Sequence, residues 1–153
     1  MSNHAILLAM PNAKIIRKPS DSSNYKVEEL RIEGLSSVEL ESFDWESFNK
    51  LRALNLVFCD AITPGLLKLL PKNLTLFMAN INGMTILEDT VWKEFVLLTT
   101  LHLNGKWNSN HQKIGQFYKM YPVQNFTFNH PENDSHQNSI EFSNGEWSFE
   151  YFK

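Results

Sequence analysis

Three histidines, His111, His130 and His136, together with Glu132 and Asp134, are the residues whose types could hold a zinc ion or move protons. Their spacing matches no known ligand pattern, and the stretch from His130 to Asn138 reads as a polar loop. Glu39, Glu41, Asp44 and Glu46 offer paired carboxylates, but they interleave with Leu40, Phe43 and Phe48 as the wet side of an amphipathic helix. Cys59 is the single cysteine, which excludes an intrachain disulfide and a thiolate metal cluster. No phosphate-binding glycine loop, nucleophile elbow or metalloprotease helix motif occurs. The expectation is no catalytic residue, no metal and no cofactor; a small metal-dependent enzyme using the histidine-rich loop is the weaker alternative.

Composition narrows the partners. The 153 residues are 42% hydrophobic and 20% charged with a net charge of -3, the balance of one soluble globular domain. Lysines and arginines are scattered, with only Arg17-Lys18 adjacent, so no basic stripe suited to nucleic acid is visible. The apolar run Ala5 to Met10 is short for a signal peptide and no stretch approaches membrane-spanning length. We therefore expect a cytoplasmic protein with no nucleic-acid or membrane partner.

The elements that would position functional residues emerge from alternating apolar pairs: Leu30/Ile32, Leu54/Leu56, Leu76/Met78, Leu101/Leu103 and Phe126/Phe128. Their first members step by 24, 22, 25 and 25 residues, and Val27, Leu51, Leu98 and Val123 stand three positions ahead of four of them. Alternation predicts a short strand at each pair, with both apolar side chains on one side. The third pair can also be read one residue later, on Leu74 and Phe77, which would exchange the two faces of that strand. Between the strands, Leu40–Phe48, Leu66–Leu70, Val91–Phe95 and Ile114–Tyr118 repeat large residues at helical spacing, placing Trp45 and Trp92 in the helical layer. Gly34 and Gly105 sit two residues past strand pairs, where the chain must leave the sheet. A unit of this size cannot bury its own apolar stripe, so the units are expected to stack.

The run Leu51-Arg52-Ala53-Leu54-Asn55-Leu56-Val57-Phe58-Cys59-Asp60-Ala61-Ile62-Thr63-Pro64-Gly65-Leu66 resembles the cysteine-containing leucine-rich repeat, found among other places after F-box motifs in ubiquitin-ligase adaptors. The other units depart from it, with Leu35, Ile81 and Lys106 at the cysteine position. The resemblance, over residues 27–131, implies an α/β right-handed solenoid with a parallel sheet on its concave face and helices on its convex face. It also implies a structural Cys59 packed in the turn below its strand, and a concave face that binds a partner.

At the ends, residues 1–26 read as an N-terminal cap or degenerate unit around Ile6/Leu8, and residues 132–153 as a loop and a capping hairpin turning at Asn144-Gly145. The strand residues that alternate away from the core are small and polar, with Phe77 as a central aromatic beside His102 and Asn55. Arg31, Asn55, Phe77, His102, Asn104 and Thr127 are the expected partner-binding residues. The function expected is non-catalytic recognition of another protein by an adaptor or complex subunit, acting as a monomer or within a hetero-complex. The alternative is a pathogen or viral protein that engages a host protein.

Overall fold

In the computed structural model, which describes residues 10, 12–21, 26–105, 111–131, 137–143 and 146–152, eight strands form one sheet in chain order. They are β1 (Lys14–Ile16), β2 (Glu29–Glu33), β3 (Ala53–Val57), β4 (Leu76–Asn80), β5 (Thr100–Asn104), β6 (Asn125–Pro131), β7 (Gln137–Ser143) and β8 (Glu146–Phe152). The strands β1 to β6 are parallel, and β7 and β8 continue the sheet antiparallel. Parallel neighbours need a crossover between them. Short helical pieces supply it: α1 (Ser37–Glu41) with a 3-10 turn at Trp45–Ser47, α2 (Pro64–Leu69), 3-10 turns at Thr85–Glu88 and Thr90–Glu94, and α3 (His111–Met120).

Local chemistry starts these helices where the sequence permits. Ser36 and Glu39 close a reciprocal capping box on α1, and Thr63 Oγ1 accepts the Leu66 N–H at 3.0 Å with Pro64 in the first turn of α2. At the far end of α2, Lys72 Nζ donates to the carbonyls of Lys68 and Leu70, each at 2.8 Å, satisfying acceptors that the helix leaves open. The carboxylates expected to be merely solvated are used. Glu39 Oε1 accepts the Ser36 N–H, Glu41 Oε1 accepts the Thr63 hydroxyl, and Asp44 accepts the Ser47 hydroxyl.

One face of the sheet carries the core. Leu30, Leu54, Phe77, Leu101 and Phe126 lie in register across β2 to β6, each fully buried. Ile32, Leu56, Ala79, Leu103 and Phe128 form the next buried row. Leu40, Leu66, Leu67, Trp92, Phe95 and Phe117 of the helical layer close over them in the same cluster. Burying each such large side chain stabilises the fold by roughly 1.5–3 kcal/mol. Trp45 and Trp92 use one device: each buried indole N–H donates at 2.8 Å to a carbonyl upstream, Leu40 O and Ile86 O respectively.

The third strand pair requires a correction. Phe77, not Leu76 or Met78, pairs in register with Leu54 and Leu101, and its ring lies 6.3 Å from that of Trp92. Phe77 is therefore a core residue and not a partner-binding one. The sequence Leu76-Phe77-Met78-Ala79 is apolar throughout, so alternation cannot choose its face; the larger ring fills the space beneath Trp92. In this register the in-line residues step by 24, 23, 24 and 25. A second departure is β1, a three-residue strand beside β2 in which only Ile16 is buried, too short to leave an alternation signal.

Candidate functional site: the second face of the sheet

The opposite face consists of three rungs. Glu29, Ala53, Leu76, Thr100 and Asn125 form the first, and Arg31, Asn55, Met78, His102 and Thr127 the second. The third contains Glu33 with Val57 and, farther along, Asn80, Asn104 and Asn129. Of the expected partner-binding residues, Arg31, Asn55, His102, Asn104 and Thr127 share this face, whereas Phe77 does not.

Burial divides the face. Asn55, His102 and Thr127 are each only 2% exposed, so the middle rung is covered from β3 to β6 and is not the open surface expected from alternation, while Arg31 at its β2 end is half-exposed. Met10 and Ala13, upstream of β1, pack on Ala53, Leu76 and Met78 in an apolar cluster separate from the main core. The third rung is half-exposed from Glu33 through Asn129. There Asn104 Oδ1 accepts from Asn129 Nδ2 at 3.3 Å and lies 3.1 Å from His102 Nε2. At the β2 end, Glu33 receives hydrogen bonds from Arg17 Nε and Arg31 Nε, each at 2.8 Å. The Arg17 hydrogen bond, reinforced by both positive charges, holds the Glu33 carboxyl below the usual carboxylate range.

Phe58 is the residue that sequence reasoning passed over. It directly follows β3, is 88% exposed, and has a φ of +52°, the only positive φ outside glycine among the described residues. A left-handed backbone is unfavourable for an aromatic residue. The turn around it differs from its neighbours. The amides of Gly34, Ile81 and Gly105 each donate to a carbonyl of the next strand, those of Val57, Asn104 and Asn129. Across the β3 exit, the Asn80 carbonyl instead takes the Ile62 N–H at 2.9 Å, while Asn80 Nδ2 donates to Cys59 O at 3.0 Å. Within this loop the Phe58 side chain stands exposed, while Cys59 is buried and the Asp60 N–H donates to Leu35 O at 3.0 Å. A register argument could have found it, since Phe58 stands 24 residues after Gly34.

Cys59, beside it, is buried at 6% exposure in the main core, with Sγ 3.5 Å from the Ile32 carbonyl, and burial pushes its thiol up from the ordinary value. It has the inert surroundings of a structural cysteine. Two clefts are lined by described residues. One of about 540 Å³ is lined by Ile62, Thr63, Asn82, Ile86, Glu88 and Asp89, and another of about 390 Å³ by Lys14, Lys26, Glu28, Glu29 and Arg52. In the second, Arg52 Nη2 already donates to Glu29 Oε1 at 2.9 Å. His136, Glu132 and Asp134 lie outside the described residues, as do the side chains of His111 and His130. Among the described residues no group of histidine, cysteine or carboxylate side chains is placed to hold a metal ion, and no helix is long and apolar enough to cross a membrane. Set against protein-family models, curated proteins and solved structures, the chain matches none.

Proposed function

We propose that this chain is a leucine-rich-repeat solenoid that recognises another protein without catalysing a reaction, and that it does so through the rim of its sheet. The parallel strands in chain order, the even spacing of their core residues and the buried Cys59 support the solenoid reading. Phe58 carries the functional one. A large aromatic held in a left-handed backbone and left 88% exposed contributes nothing to folding that glycine or asparagine would not supply at lower cost. Beside it on the same edge, Glu33, Asn80, Asn104 and Asn129 offer half-exposed polar groups, so an aromatic anchor is flanked by hydrogen-bonding side chains. Asn104 and Arg31 keep the partner-binding roles expected from the sequence, Arg31 by fixing Glu33; Asn55, His102 and Thr127 line the covered floor behind the rim.

The test is affinity capture from the native source with three proteins: wild type, Phe58→Asn, and Leu69→Asn on the helical layer, where Leu69 is 48% exposed. A protein retained by wild type and Leu69→Asn but lost by Phe58→Asn supports the rim. Identical recovery by all three contradicts it.

A further inference from the structure

The covered part of the second face has an apolar seat filled from within the chain. Met10, 7% exposed, packs with Ala53, Leu76 and Met78, and the Ala13 N–H donates to Met10 O at 3.4 Å, so a single turn brings both side chains onto the seat. The seat interrupts a polar face: in register with Leu76 stands Thr100, and with Met78 stands His102. On the same rung as Met78, Asn55 Oδ1 is buried with no hydrogen-bond partner among the described residues. A buried carbonyl oxygen left without a donor is destabilising, and a supplied N–H would remove that cost.

We propose that Ala53, Leu76, Met78 and Asn55 form a binding site for a peptide turn of a partner protein, with Met10 as its resident occupant. The ligand brings a flexible apolar side chain of methionine or leucine type into the place of Met10 and donates an N–H to Asn55 Oδ1. Methionine suits such a seat because its unbranched, polarizable side chain adapts to an irregular apolar surface without being locked there. Displacement of Met10 makes the apparent affinity depend on the fraction of molecules in which the seat is open. The inference rests on the recognition role proposed above only in taking the ligand to be a protein.

The experiment uses the full chain and a synthetic peptide of residues 7–14 as the probe. Hydrogen peroxide oxidation of Met78 is followed by mass spectrometry, with Met120, 53% exposed, as internal reference. Met78 should oxidise slowly in wild type and in Met10→Leu, and about tenfold faster in Met10→Asp and the milder Met10→Ser, with thermal unfolding confirming that both remain folded. The peptide should slow that oxidation again and bind Met10→Asp about tenfold more tightly than wild type, because the resident competitor is gone. Unchanged protection of Met78 in Met10→Asp and Met10→Ser, or equal peptide affinity for wild type and Met10→Asp, overturns the proposal. No partner enters the measurement, so its failure leaves the Phe58 rim standing and failure at the rim leaves this site intact.

Discussion

Gly34 and Phe58 directly follow adjacent, in-register strands, and both have a left-handed backbone, with φ of +72° and +52°. One position uses the residue that adopts this conformation freely; the other forces it on an aromatic ring that is 88% exposed. Exchange at position 58 should therefore separate stability from binding. Phe58→Asn removes little buried surface and relieves a backbone that costs a bulky residue roughly 1–2 kcal/mol. It should raise the unfolding free energy by about 0.5–1 kcal/mol in urea denaturation while weakening partner capture. A loss of stability would mean that the ring packs in a way that its exposure does not suggest.

The two strand-exit glycines are needed for different reasons, and asparagine distinguishes them. Gly34 has open space around a would-be Cβ but a positive φ, whereas a Cβ on Gly105 would lie 2.7 Å from the Ile81 carbonyl oxygen. Gly34→Ala should cost about 1–2 kcal/mol and Gly34→Asn markedly less, because asparagine tolerates the left-handed region. Gly105→Ala and Gly105→Asn should both cost roughly 1–3 kcal/mol, since the clash with backbone is the same for each. Denaturation midpoints of the four variants check this.

Adjacent residues of β4 should respond very differently to truncation. Phe77→Ala opens a cavity under Trp92 and should cost about 3–5 kcal/mol. Met78→Ala, on the second face in the small cluster with Met10, should cost clearly less, on the order of 2 kcal/mol. Equal losses, or the reverse order, would restore the register first expected from the alternation of Leu76 and Met78.

Stability should decline at both ends of the pH range. Burial raises the pKa of the Cys59 thiol and of the Tyr121 hydroxyl, which donates to Phe95 O at 2.6 Å. Both folded-state values lie above the unfolded ones. Their contribution is thus complete below about pH 8 and is lost as the pH rises, when the unfolded chain releases these protons first. Glu33 has the opposite sign. Its lowered pKa contributes stability that is present above about pH 4.3 and is lost as the pH falls through the folded value. Thermal midpoints against pH should show Tyr121→Phe flattening the alkaline limb and Glu33→Gln the acid limb. Cys59 should resist iodoacetamide at neutral pH until the protein is unfolded.

Five of the strands, the helical segments between most of them, the packing of Trp45 and Trp92, and a final hairpin were legible because apolar spacing reports burial directly. The faces of β4 were not, because four consecutive apolar residues satisfy either alternation. For the same reason the candidate site was only partly legible. The candidate residues of β2, β3, β5 and β6 landed on the expected face, but spacing carries no information about what covers that face, and Asn55, His102 and Thr127 are covered. Phe58 escaped notice because it lies outside the strand pattern, and its distinguishing property is a backbone angle.

The most direct test of the account places a photo-crosslinking phenylalanine analogue at position 58 and, in a second protein, at position 69 on the helical layer, and irradiates each in its native lysate. Recognition through the rim predicts a discrete cross-linked protein from position 58 that is absent from position 69. No adduct at position 58, or the same adducts from both positions, would contradict it.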